Sequence, residues 1–193
     1  MSRYLFVAND RALDFVNTAF AGGDTVPDVI AFVGWLEAVG MLTADEAHAA
    51  LARATEPERE RTIARVHAFR SALRRMVEAY VAGRAPVADD LAVINAHLQH
   101  APIHDELVAL AGGVASVRRV ATDVPEALLY FVAEAARELF TRKDRQAIRR
   151  CANEACTHYF YDASKNGRRR WCRMAGCGNR KKVAALRSRR RAS

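Results

Sequence analysis

The chain has 193 residues, of which 51% are hydrophobic, enough to bury the core of one or two domains. This composition excludes a wholly disordered protein and a small disulfide-stapled toxin. Residues 1–150 contain 18 Lys or Arg and 20 Asp or Glu, whereas residues 151–193 contain 12 and 2. We therefore expect a near-neutral body, residues 1–145, followed by a small cationic module, residues 146–193.

The sequence predicts neither a membrane span nor a secretion signal. The longest apolar run, Val29 to Leu36, is far shorter than the ~20 residues of a spanning helix. The apolar run Tyr4 to Ala8 is too short for the core of a signal peptide. We therefore expect a cytoplasmic protein without membrane contact, in a compartment where thiols stay reduced.

The body is predicted to be α+β, mainly helical with a small sheet. Tyr4 to Val7 has the composition of a short strand, and Ile103 to Thr122, with Gly112-Gly113 at its centre, predicts a hairpin. Apolar spacing and capping residues predict the helices. These begin at Leu13, after Asp28, after capping boxes at Thr43 and Thr55, at Val87 and after Asp123.

All four cysteines lie in the cationic module, with the spacing Cys151-x4-Cys156-x15-Cys172-x4-Cys177. Zinc in structural sites takes four ligands in a tetrahedron, and thiolates suit it. Two close pairs joined by a hairpin-length spacer meet that requirement, so we predict one structural Zn²⁺ on these residues. Two disulfides or an iron–sulfur cluster are the alternatives, and His158 is a competing ligand.

The residues around the cysteines predict a knuckle, a hairpin and a helix. Thr157 to Tyr161 is β-prone, Asn166-Gly167 is a strong turn signal, and Arg168 to Cys172 is expected to return as the second strand. The residues after Cys177 favour a helix. This order is that of a treble clef, and metal binding is expected to supply much of its folding energy.

The density of Lys and Arg in the module indicates a polyanionic partner. Because each cation that neutralises a phosphate releases a counterion, binding is expected to weaken steeply with salt. Phe160 and Trp171 either stack on bases or form the small core of the module. The residues predicted to contact nucleic acid are Arg168, Arg169, Arg170, Arg173, Asn179, Arg180, Lys181, Lys182, Arg187 and Arg191.

Residues 166–182, which read NGRRRWCRMAGCGNRKK, resemble the CGNR zinc finger together with Cys151 and Cys156. The family commonly has a small residue after the third cysteine, where this chain has Arg173. In the body, residues 13–18 (LDFVNT) and the segment from Trp35 to Leu42 resemble the ABATE domain. The resemblance implies a bacterial, stress-linked transcription regulator with an ABATE-like body and a treble-clef-like finger.

A polar cluster in the body is a candidate ligand pocket. Asp14 and Asn17 or Thr18 share one helix face among apolar residues, and Trp35 is the fourth candidate. The alternative is that these polar side chains cap and cross-link neighbouring backbone.

The favoured function is a zinc-dependent DNA-binding regulator whose body forms a homodimer or senses a small-molecule effector. An RNA- or ribosome-binding module would use the same charge. An enzyme would need its chemistry in the body, since four thiolates leave zinc no open position. The body shows no paired carboxylates or nucleophile–base set at usable spacing, so no enzyme is predicted.

Overall fold

The computed structural model describes residues 3–52, 54–99, 101–121 and 125–183. Their architecture is α+β, as predicted, and none of the helices among them is long and apolar enough to cross a membrane. The helices are α1 Arg11–Val16, α2 Val29–Ala38, α3 Ala44–Ala52, α4 Glu56–Val81, α5 Ala88–Leu98 and α6 Leu129–Arg142. The antiparallel strand pairs are β1 Ala19–Phe20 with β2 Gly23–Asp24, β3 Ile103–Leu110 with β4 Gly113–Val120, and β5 Ile148–Arg150 with β6 Tyr159–Tyr161.

Side-chain caps explain where the helices of the body begin. The Asp28 carboxylate accepts the N–H of Ala31 at 2.7 Å, which satisfies one of the free donors at the start of α2. A reciprocal capping box, with Thr55 at the N-cap, opens α4. The predicted starts after Asp28, Thr43 and Thr55 are confirmed. The predicted cap Asp123 lies outside the described residues.

The core of the body is built around α1. Phe15 on this helix is fully buried, and its ring lies 6.0 Å from Phe32, 5.1 Å from Trp35 and 6.2 Å from Phe69 between ring centroids. The helix also packs against α6 and against strand β6 of the cationic module. One short helix therefore contacts both parts of the chain.

The prediction of a short strand at Tyr4 to Val7 is wrong. Two backbone donors of this region, the N–H groups of Val7 and Ala8, bind the carboxylate of Asp14 at 2.9 Å each instead of a strand ladder. The Ala8 carbonyl accepts the N–H of Tyr161 at 2.7 Å. The segment is thus an irregular connection that lies between α1 and the module.

The hairpin β3–β4 confirms the prediction from Gly112-Gly113. Gly112 has a φ of +94°, which residues with a Cβ rarely adopt, at the turn where Leu110 pairs with Gly113. Leu107 and Val114 are mostly exposed near the tip. The hairpin therefore extends from the body with part of its apolar surface in solvent.

Asn17 joins the body to the module through two hydrogen bonds. Its side-chain amide donates to the Tyr159 carbonyl at 2.8 Å and accepts the Tyr159 N–H at 2.8 Å. Asn17 and Tyr159 are both buried, at 4% and 5% exposed. The side chain thus completes the pairing of β6 where no further strand is present among the described neighbours.

We predict that Asn17→Ala destabilises the protein by about 2–3 kcal/mol, because it leaves a buried donor and acceptor of Tyr159 unpaired. The free energy of unfolding from urea denaturation measures the effect. Asn95→Ala is the control, since Asn95 is exposed in the interior of helix α5 and makes the same change of side chain there. Equal stability of the two variants would contradict this role.

Burial raises the pKa of Asp14 from 3.8 to about 6, despite the two backbone N–H groups that stabilise its charge. The folded protein therefore binds the Asp14 proton more tightly than the unfolded chain does. Because of this, the contribution of Asp14 to the free energy of unfolding falls as pH rises through about 4–6. We compare the free energy of unfolding of Asp14→Asn with that of the unchanged protein. We predict that the variant's value, relative to the unchanged protein's, is about 1 kcal/mol higher at pH 7.5 than at pH 5. Urea unfolding of both proteins at both pH values checks this, and a constant difference would refute it.

Candidate metal centre and nucleic-acid surface

The first cysteine pair lies in the connection of the β5–β6 hairpin. Strand β5 ends immediately before Cys151, and the chain passes Cys156 before it returns in β6. The prediction that Arg168 to Cys172 forms the partner strand of Thr157 to Tyr161 is wrong, because β5 occupies that position. The segment 168–172 runs without regular secondary structure, attached by an Ala152 N–H to Arg170 carbonyl bond of 2.9 Å.

The second pair lies at the start of a helical segment, as predicted. Cys172 precedes a π-helical turn, Met174–Gly178, and Cys177 lies within that turn. The chain continues as an α-helix over residues 179–183, the last residues described. The positive end of this helix dipole therefore lies next to the cysteine sulfurs and favours their ionised form.

The four predicted metal ligands meet in space. Their Sγ atoms all lie within 4.8 Å of one another, and each residue is buried and free of disulfides. The Cys156 and Cys172 sulfurs are 3.8 Å apart, and those of Cys172 and Cys177 are 3.7 Å apart. A tetrahedron with Zn–S bonds of ~2.3 Å has edges of ~3.8 Å, so the cluster fits one structural zinc ion.

Neighbouring donors hold the sulfurs in place. The Asn153 amide donates to Cys177 Sγ at 3.4 Å, and the backbone N–H of Cys172 donates to Cys151 Sγ at 3.5 Å. His158 Nδ1 lies 3.2 Å from Cys156 Sγ, so the histidine contacts a ligand and is not part of the four-sulfur cluster. Such outer contacts orient the ligands and tune their basicity.

Burial shifts the acidity of the thiols unequally. Desolvation raises the pKa of Cys156 to about 11 and raises that of Cys172 further. Burial opposes ionisation of Cys177 too, but hydrogen bonds from Asn153 and the neighbouring thiols outweigh it and lower its pKa. Ionising all four groups therefore requires a cation among them, which is the role of zinc.

Asp162 and Arg169 organise the loop between the cysteine pairs. The buried Asp162 carboxylate accepts the backbone N–H groups of Ser164 at 3.1 Å and Arg169 at 2.9 Å. The Arg169 guanidinium donates to the carbonyls of Val7 and Cys172 and lies 4.2 Å from the Phe160 ring centroid. Arg169, predicted as a nucleic-acid contact, thus connects the module to the body.

Most other predicted nucleic-acid contacts lie on the surface. Lys181 is half-buried and forms an ion pair with Glu154 at 3.1 Å. Arg187 and Arg191 lie outside the described residues. The exposed members of the predicted set are Arg168, Arg170, Arg173, Asn179, Arg180 and Lys182.

The candidate ligand-pocket residues are occupied by internal contacts. Asp14 and Asn17 bind backbone groups as described above, and the Thr18 hydroxyl accepts from Arg70 at 2.8 Å. Trp35 is 1% exposed in the aromatic core. Asp14 also lines a surface cleft beside α6, but the four side chains do not line it together. The cross-linking alternative thus describes the observed contacts.

Two family models match the chain. Residues 9–143 match ABATE, described as "Putative stress-induced transcription regulator". The chain belongs to the ABATE family. Residues 147–190 match the CGNR zinc finger, so the resemblance drawn from the cysteine region is confirmed. A comparison with curated proteins finds no match.

The ABATE and CGNR descriptions concern regulation and zinc binding, and neither names an enzymatic reaction. The cluster geometry agrees with them, since a zinc ion held by four sulfurs has no open coordination position. The metal of this CGNR finger is therefore structural.

We predict one zinc ion per chain by elemental analysis. Cys172→Ala removes a ligand, so we expect loss of the metal and a lower melting temperature, because metal binding contributes to folding of the finger. His158→Asn is the matched control: it alters a neighbour of Cys156 and should retain the zinc. A metal content near zero in the unchanged protein, or zinc retained by Cys172→Ala, would contradict the assignment.

Proposed function

We propose that the protein is a zinc-dependent DNA-binding transcription regulator whose CGNR finger contacts DNA. The observation that carries the proposal is a set of exposed cations around a buried metal cluster. Among the described residues, no carboxylate lies within ion-pair distance of Arg168, Arg170, Arg173, Arg180 or Lys182. These side chains are thus available for phosphates.

The zinc cluster holds these cations in fixed relative positions. Arg168, Arg170 and Arg173 lie in the segment that leads into Cys172 or leaves it, and Arg180 follows Cys177 on the next helical turn. A charged surface that is already ordered loses less entropy on binding than a flexible tail. This supports a zinc requirement for DNA binding.

The start of the helix over residues 179–183 is the part of the finger that we expect to recognise the DNA sequence. Asn179 and Arg180 are exposed there, directly after the zinc ligand Cys177. Arginine suits bidentate contact with guanine and asparagine suits contact with adenine in the major groove. Arg169 is omitted from the proposed interface, because its guanidinium binds carbonyls inside the protein.

RNA is the second candidate partner, since the same cations bind its phosphates. Competition between duplex DNA and structured RNA of equal length at equal salt concentration separates the two. A small-molecule effector, a homodimer and a cytoplasmic location remain predictions.

We predict that duplex DNA binding weakens steeply between about 50 and 200 mM salt, and that Arg173→Gln reduces the slope of log K against log salt by about 1. Fluorescence anisotropy of a labelled duplex measures both. Arg118→Gln, which changes an exposed arginine on β4 of the body, is the control and should leave the slope unchanged. Full affinity in chelator-treated, metal-free protein would refute the zinc requirement, and no duplex binding at low salt would refute the proposed function.

A further inference from the structure

Trp171 and Met174 form an apolar platform on the otherwise cationic surface of the finger. Met174 is 56% exposed and Trp171 is half-buried. Both side chains stand over Gly178, where an added Cβ would overlap Met174 Sδ and lie 3.2 Å from Trp171 Cδ1. Glycine at this position thus allows the two side chains to lie side by side on the first turn of the helical segment.

A cleft of about 420 Å³ opens at this platform and is lined by the segment from Arg168 to Met174. The Arg170 guanidinium lies over the indole, 5.3 Å from the ring centroid. Arg168 and Arg173 are exposed and also line the cleft. An aromatic face between guanidinium groups matches both parts of a nucleotide, the flat base and the charged phosphate.

Arg169 and the zinc cluster both hold the backbone beneath the platform. Arg169 Nε donates to the Trp171 carbonyl at 3.0 Å, and its terminal nitrogen donates to the Cys172 carbonyl. Cys172 is itself a zinc ligand with a buried sulfur. The backbone that carries the indole is therefore held before any partner binds, which reduces the entropy lost on stacking.

We propose that this cleft accepts a single unstacked DNA base. The base stacks on the Trp171 indole beside Met174 and takes the place of the Arg170 guanidinium, which turns to a phosphate together with Arg168 and Arg173. In a regular duplex the base must first leave its stack, whereas an unpaired base avoids most of that cost. The inference rests on the proposed function and adds a preference for DNA that carries an unpaired nucleotide.

The test compares three labelled duplexes of one sequence with the full-length, zinc-loaded protein. One duplex is regular, one carries a single unpaired adenine, and one carries an abasic residue at the same position. We expect the adenine duplex to bind about tenfold more tightly than the abasic duplex, since stacking depends on the base itself. Trp171→Leu should abolish this difference and leave affinity for the regular duplex within about twofold.

Tryptophan fluorescence provides an independent readout. The chain has two tryptophans, and Trp35 is 1% exposed in the body. Quenching by the adenine duplex but not by the abasic duplex therefore reports on Trp171. Trp171→Phe should retain part of the preference, and Val183→Ala, which shortens a 46% exposed apolar side chain outside the cleft, should retain all of it.

The outcomes separate this inference from the function on which it rests. If the unchanged protein binds the adenine and abasic duplexes equally, the inference is overturned while regular duplex binding still supports the regulator. If it binds none of the three at low salt, the proposed function fails. The comparison uses the unchanged protein, so it is decisive even if Trp171→Leu loses its zinc.

Discussion

The finger depends on a balance between four buried thiolates and one divalent cation. Without the cation, burial keeps Cys156 and Cys172 protonated, and four adjacent negative charges would repel one another. With it, the first pair in the β5–β6 connection and the second pair at the helical segment are held together. The positions of the exposed arginines follow from this closure, since they flank Cys172 and Cys177 in the chain.

The body fixes the orientation of that cluster. The Asn17 amide completes the pairing of Tyr159, and Phe160, fully buried, belongs to the same hydrophobic core as the body helices. Arg169 extends this connection to the carbonyl of Val7. Asn17, predicted as part of a candidate pocket, is thereby explained as a joint between the two parts.

Local signals in the sequence predicted much of the fold and the whole zinc ligand set. The cap at Asp28, the capping box at Thr55 and the hairpin turn at Gly112 each depend on residues a few positions apart. The cysteine spacing predicted the metal site for the same reason, since two close pairs joined by a short spacer can supply four ligands to one ion.

The failures concern contacts that apolar periodicity and turn signals do not encode. Strand β6 pairs with β5, which precedes all four cysteines, although the turn at Gly167 favours a partner in the segment from Arg168 to Cys172. The donors of Val7 and Ala8 bind the Asp14 carboxylate, which alternation of apolar residues cannot reveal. Arg169, predicted on the nucleic-acid surface with its neighbours, instead donates to carbonyls of the body and the finger.

The shared core has a consequence for how such a protein can be divided or recombined. A fragment that ends before Ile148 would uncover the face of α1 that β6 covers and would leave the amide of Asn17 facing water. A finger excised alone would expose Phe160 and Tyr159 in turn. The two parts are therefore not independent domains. A finger fused to another body needs a helix there that packs against β6 as α1 does.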